Sequence, residues 1–128
     1  MWSSMRTSDP LLVCICGPAA SGKSTISRAI IERTPSCALS VSTTTRDPRP
    51  GEEEGKHYYF VTRQQFEERI GQGLFAEYTQ FGSDFYGTTK DTIDRAFAVG
   101  QHLLFDIESH GVKALRALYG ERVVCIFL

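Results

Sequence analysis

No stretch of this sequence reaches the roughly 18 consecutive apolar residues of a membrane span, and none of its helical patterns is long enough to supply one. The first ten residues carry Ser3, Ser4, Ser8 and Asp9 and lack an apolar segment ahead of a cleavage site, so a secretory signal is not expected. An excess of either charge is also missing. Fourteen basic residues face 15 acidic ones, which argues against a nucleic-acid or membrane partner and leaves any positive field to local clustering. The four cysteines, Cys14, Cys16, Cys37 and Cys125, lack the CxxC spacing of a zinc site. Three of them sit in apolar runs, where thiols pack as small hydrophobes, so the expectation is reduced thiols in a cytoplasmic protein. Repeats and low-complexity tracts are absent. What is there is a chain of 128 residues, 41% apolar and 23% charged, long enough for one domain and too short for two.

Leu11–Cys16 is a continuous apolar run, suited to a strand buried on both faces of a parallel sheet. It ends at Gly17, and from Lys23 to Arg33 the apolar residues fall at helical spacing until Thr34-Pro35. Ala38–Ser42 reads as a short strand, Thr43–Lys56 as a polar loop, and His57–Val61 as a further strand. Thr62 and Gln65 have capping-box spacing for a helix closed by Gly71 and Gly73. Leu74–Phe85 reads as short strands or a hairpin, and Thr88 with Asp91 as a second capping box for a helix stopping at Gly100. Leu103–Ile107 is another buried strand, followed by a helix ending near Gly120 and the apolar run Val123–Leu128.

This order predicts an α/β protein, a three-layer core around a parallel sheet with an inserted lobe. The expected boundaries are a disordered leader over residues 1–10, core segments at 11–42 and 101–128, and a lobe at about 43–90. An apolar strand with nothing after it to cover its edge suggests that the chain is cut short of its natural end.

Gly17-Pro18-Ala19-Ala20-Ser21-Gly22-Lys23-Ser24 fits G-x-x-x-x-G-K-[ST] and lies between an apolar strand and a helix, the setting that separates a phosphate-binding P-loop from a solvated glycine turn. Backbone N–H groups of such a loop converge on phosphate oxygens, the lysine adds charge near the β and γ phosphates, and the hydroxyl can ligate Mg²⁺. The expected ligand is a nucleoside triphosphate, at Gly17, Pro18, Ala19, Ala20, Ser21, Gly22, Lys23, Ser24 and Thr25. Asp106 stands at the end of an apolar strand, where it either joins Ser24 in holding Mg²⁺ or is simply a strand-end acid; spacing alone leaves this open. The hydroxyl-rich loop holding Arg46 and Arg49 is either a solvated face or a fork onto one phosphate monoester, with Tyr58 donating its phenol. Its place between the P-loop and the acid favours the second.

The run Ser40-Val41-Ser42-Thr43-Thr44-Thr45-Arg46-Asp47-Pro48-Arg49-Pro50-Gly51-Glu52, continued by Gly55–Val61, resembles the GMP-phosphate loop of the guanylate kinase family, and the likeness covers about Leu11–Leu128. The resemblance implies phosphorylation of GMP by ATP. It implies that Ser42, Arg46, Arg49, Tyr58 and Tyr86 grip the GMP phosphate, that Glu77 accepts from guanine N1 and N2, and that Thr88 and Glu108 make the remaining base contacts. Lys23, Arg46 and Arg49 are the implied catalytic groups. The chain departs from the family's usual pattern at Ala19-Ala20, which looks like the loop of cytidylate kinases, at Glu108 where aspartate is usual, at Ser109-His110, and at Thr88 in place of serine. The family also continues past the last strand into a lid bearing arginines. Competing readings are a non-catalytic guanylate-kinase-like module that binds phosphopeptides, against which the intact Lys23-Ser24 pair counts, a ribose-phosphate kinase, against which Glu77 counts, and an inactive fragment.

Overall fold

The computed structural model describes residues 9–18, 22–107 and 109–128. Residues 1–8 of the expected leader, Ala19, Ala20 and Ser21 of the glycine loop, and Glu108 lie outside the described residues. Within them the chain divides into two compact units, one reaching to Ser40 and resuming over Asp94–Leu128, the other Val41–Ile93.

The first unit is built on four parallel strands in the order β2 (Cys37–Leu39), β7 (His102–Phe105), β1 (Leu12–Cys16), β8 (Val123–Phe127). Leu12 stands opposite both Leu103 and Val123, and Cys14 opposite Phe105 and Cys125, so these residues share one face. Val13, Ile15, Cys37 and Leu104 share the other, where Ile30 and Ile31 of α1 (Lys23–Arg33) pack on them. Leu12, Ile15, Leu103, Leu104 and Phe105 are all buried. A sheet buried on both faces is the middle layer of three, which is why its strands read as unbroken apolar runs. Two short helical pieces complete the unit, α4 (Ser109–Tyr119), which buries Val112 and Leu115, and a 3-10 turn (Gly120–Arg122). On β8, Val124, Ile126 and Phe127 remain exposed to different degrees, up to 75% for Phe127.

The second unit has a mixed sheet in the order β4 (Tyr58–Phe60), β3 (Ser42–Thr44), β6 (Asp84–Thr89), β5 (Phe75–Phe81); only the β3–β4 pair is parallel. Its helix α2 (Arg63–Gly71) opens with the expected capping box, Thr62 accepting from the Gln65 amide and Gln65 from that of Thr62. Phe66 of α2, fully buried, stacks on Phe75 and Phe85 at ring separations of 4.2 and 5.1 Å and meets Tyr78 edge-on. One sheet face is thereby covered by aromatic packing. Helix α3 (Lys90–Ala98) contains the division between the units, which falls after Ile93.

Three sequence expectations need correction. Ala38–Ser42 is two strands: Ser40 donates to the Leu104 carbonyl at the end of the first sheet, and Ser42 begins pairing with Tyr58 in the second. Strand propensity is continuous across the segment, and only the pairing partner reveals the break. Thr88 does not cap α3. It belongs to β6, and the Thr89 hydroxyl accepts from the Thr92 amide instead. Strand β7 ends at Phe105, so Asp106 follows the strand rather than lying within it.

None of the four cysteines is in a disulfide; the buried three are Cys14, Cys16 and Cys37, while Cys125 on the outer strand is only half-buried. Burial, reinforced by the Cys125 thiol 3.5 Å away, pushes the Cys16 thiol up to about 11. A thiol so disfavoured as thiolate is packing material rather than a nucleophile.

Candidate functional site

Each unit carries one cluster of chemistry-bearing residues. In the first, β1 runs out at Cys16 and α1 starts at Lys23, with Gly22 as N-cap in the left-handed region at φ 88°. Gly22 brings no side chain to cap the helix, and the first turn holds no acidic residue. The Ile26 amide closes that turn on the Gly22 carbonyl at 3.1 Å. The amides of Lys23, Ser24 and Thr25 come earlier than the first intrahelical bond and point along the axis at the positive end of the helix dipole, an arrangement suited to anions. Ser24 and Thr25 are exposed.

Lys23 Nζ lies 3.0 Å from Asp106 Oδ1. β1 and β7 are parallel neighbours, so residues just past their C-terminal ends emerge at the same edge of the sheet, which is where α/β proteins place their ligands. The Asp106 side chain is 61% exposed. An ion pair this wet contributes about 0–1 kcal/mol, so it yields readily to a more strongly charged anion.

Among the described residues no group of three or more His, Cys, Asp or Glu side chains is placed to hold a metal ion. Mg²⁺ does not need one, because it is usually bound through one or two protein oxygens together with phosphates and waters. The hard oxygens of Ser24 and Asp106 therefore fit Mg²⁺ in company with a polyphosphate.

In the second unit, strand register sorts the predicted residues onto one face. Ser42 stands opposite Tyr58, Thr44 opposite Tyr86, and Glu77 opposite Thr88. Side chains alternate along a strand, so Ser42, Tyr58, Tyr86, Thr88 and Glu77 all project from the face that α2 leaves uncovered. A register shift between Phe75 and Glu77 inserts Ala76 and turns Glu77 onto that face. There its carboxylate accepts from the Thr88 hydroxyl at 2.8 Å, with Glu77 8% exposed and Thr88 wholly buried. Gly87 makes this pairing possible: a Cβ there would stand 2.9 Å from the Glu77 carbonyl oxygen, Phe75 Cδ1 and Tyr78 Cβ.

Arg46 leaves β3 through a turn closed by the Thr44 hydroxyl, which accepts from the Arg46 amide at 3.2 Å and donates to the Phe85 carbonyl. Its guanidinium lies 5.0 Å from the centre of the Tyr58 ring. The Glu52 carboxylate, and to a lesser degree the Tyr58 and Tyr86 phenols, hold the Arg46 charge more firmly than usual. In return Arg46, followed by the Arg49 amide, holds the Glu52 carboxyl down at about 2. Arg46, Tyr58 and Tyr86 are thus one cluster, with Ser42 beside it. The Arg49 side chain is exposed at the rim of the loop.

Two features escaped the reading of the sequence. One is the Lys23–Asp106 pair, which no local pattern announces. The other is Glu52, whose signal was present: Arg49-Pro50-Gly51-Glu52 places Pro and Gly at the central positions of a type II turn, with Gly51 at φ 85° and the Glu52 amide donating to the Arg49 carbonyl at 3.0 Å. Such a turn folds Glu52 back toward the arginines.

Comparisons with known proteins agree on one family. The family model for guanylate kinase matches residues 9–128. A guanylate kinase of Rhodopseudomonas palustris is 42% identical over 118 residues, 92% of this chain and 54% of the relative. One from Symbiobacterium thermophilum is 42% identical over 113 residues, 88% of this chain and 54% of its own length. Among solved structures, the crystal structure of guanylate kinase from Anaplasma phagocytophilum superposes with a TM-score of 0.74 at 30% identity, covering 94% of this chain and 60% of that one. The chain spans about half the length of the curated relatives it matches. A match over nearly every residue, at this identity and with this fold, makes the chain a member of the guanylate kinase family.

Proposed function

We propose that this chain provides the MgATP and GMP sites of a phosphotransferase that converts ATP and GMP to ADP and GDP in the cytoplasm. The observation that carries the reading is the single sheet face that sets a phosphate-type cluster, Arg46, Tyr58 and Tyr86, beside a buried acceptor, Glu77. Tyr86 and Thr88 are two residues apart on β6, roughly 7 Å along the strand. A nucleoside monophosphate has its base and phosphate at opposite ends and needs separate recognition of each.

In this reading Ser42, Arg46, Arg49, Tyr58 and Tyr86 hold the acceptor phosphate. Glu77 accepts from guanine N1–H and N2–H, with Thr88 completing the base site. Adenine presents an acceptor where guanine has N1–H, so it would set a lone pair against the Glu77 carboxylate; sites of this kind reject the wrong base strongly. At the other cluster the amides following Gly22 and the loop Gly17, Pro18, Ala19, Ala20, Ser21 cradle the triphosphate, and Lys23 exchanges Asp106 for a phosphate oxygen. Ser24 and Asp106 would hold Mg²⁺, which when bound neutralises phosphate charge. Arg46 and Arg49 orient the acceptor, so these residues act by position and charge rather than by covalent chemistry.

The test is ADP release with GMP, AMP or CMP as acceptor, with a full-length relative as positive control, and calorimetric titration of the chain with ATP, GMP and a phosphopeptide. GMP-selective binding and turnover are expected. Equal response to all three nucleotides, or binding of the phosphopeptide alone, would overturn the reading. Glu77→Ala should weaken GMP by about 1.5–3 kcal/mol, the usual worth of hydrogen bonds to a charged group, and leave AMP unchanged.

A further inference from the structure

Arg46 has five N–H donors. Both donors of NH1 are engaged, one by Glu52 Oε1 at 2.9 Å and one by the Asp47 carbonyl at 3.0 Å; NH2 gives one to Glu52 Oε2 at 3.0 Å. Glu52 thus takes the end edge of the guanidinium with both oxygens. The other parallel pair of donors on a guanidinium is its side edge, Nε–H with the second N–H of NH2, and such a pair matches two oxygens of a phosphate. Glu52 does more than hold Arg46, because Oε1 also accepts from the Arg49 amide at 2.8 Å. One carboxylate therefore ties both arginines of the loop together, while the Arg46 guanidinium lies over the Tyr58 ring, 5.0 Å from its centre.

We propose that Glu52 is a positioning residue for the acceptor phosphate: by occupying the NH1/NH2 edge of Arg46 and the Arg49 amide, it presents the Nε/NH2 edge of Arg46 to a phosphate monoester. The role deepens the GMP reading above and rests on it. It also makes a prediction of opposite sign to simple electrostatics. Glu52 places a negative charge beside a site for a dianion, so charge alone requires its removal to tighten phosphate binding. Positioning requires the reverse, since an unheld guanidinium must be ordered by the ligand itself.

The experiment titrates the full chain with inorganic phosphate and, separately, with GMP, as wild type, E52Q and E52D, following the Arg46 Nε–H resonance by NMR. Both variants are expected to weaken phosphate and GMP, E52Q by roughly tenfold as befits lost charge-assisted hydrogen bonds. E52D, which keeps the charge but withdraws it by one methylene, is expected in between. Unaltered resonances of Glu77 and Thr88 check that the lobe is folded, and E52D carries the test should E52Q fail that check. Phosphate affinity equal to wild type or tighter in the variants overturns the positioning role and leaves the GMP reading standing. A wild type that takes phosphate but not GMP overturns the GMP reading, while the variants still decide the role of Glu52 on phosphate. A wild type that binds neither overturns both.

Discussion

The two clusters are each suited to phosphate, yet they are made from different parts of the chain. In the first unit the donors are backbone amides at the start of α1 and a single lysine resting on an exposed carboxylate. In the second the donor is a side chain locked before any ligand arrives, Arg46 by Glu52 and Tyr58, and the neighbouring acceptor Glu77 is held in the same way by Thr88. The difference teaches how each is specified. An amide cradle needs only a strand, a glycine loop and a helix in succession, so it tolerates variation in side chains such as Ala19 and Ala20. A side-chain cradle needs strand register, because a one-residue slip would carry Tyr86, Thr88 and Glu77 to the opposite face.

Substitutions that strike one cluster and spare the other sharpen this comparison. The largest effect is expected for Lys23→Ala, which removes the lysine charge of the first cluster. If the proposed function holds, phosphoryl transfer measured as GDP formation should fall by about 10²–10³-fold, the scale seen when one preorganised donor is deleted, with GMP affinity retained. Gly87→Ala strikes the second cluster through its backbone. The added Cβ meets the Glu77 carbonyl oxygen, which cannot move without disturbing the bulge, so a loss of about 1–3 kcal/mol in stability is expected by urea unfolding. Hydrogen exchange should quicken in β5 and β6 and not in β1 or β7. If both units lost protection together, the clusters would not be separately specified.

The smallest effect is a slope in acid. The Glu52 carboxyl, held down at about 2 by Arg46 against an ordinary 4.5, contributes stability that is fully present above the unfolded value and lost as pH falls through the folded one. Thermal melts should therefore show wild type losing stability relative to E52Q between pH 4.5 and about 2, and no change in that difference from pH 7 down to 4.5. A difference that varied at neutral pH would assign the effect to another group.

The legible parts of the fold were those with local grammar. Lys23–Arg33 was bounded correctly because Thr34-Pro35 stops a helix on the spot, and the Thr62–Gln65 box because its two bonds join residues three apart. Thr88 misled because Thr88 and Thr89 both precede a helical run, and the choice between them depends on the pairing of Thr88 with Glu77 across the hairpin. Ala38–Ser42 misled for the same reason, its halves being assigned by their partners, Leu104 and Tyr58.

By itself the sequence determined the glycine motif between an apolar strand and a helix, the α/β class, and the list of polar residues capable of meeting a nucleotide, since each is written in contiguous residues or short spacings. The tertiary structure alone decided that Lys23 meets Asp106, that Ser42, Tyr58, Tyr86, Thr88 and Glu77 share one face, and that Glu52 binds both Arg46 and the Arg49 backbone. The physical reason is that these contacts depend on which strands pair, in what register, and where a bulge or turn redirects the chain. No short-range pattern of residue types carries that information.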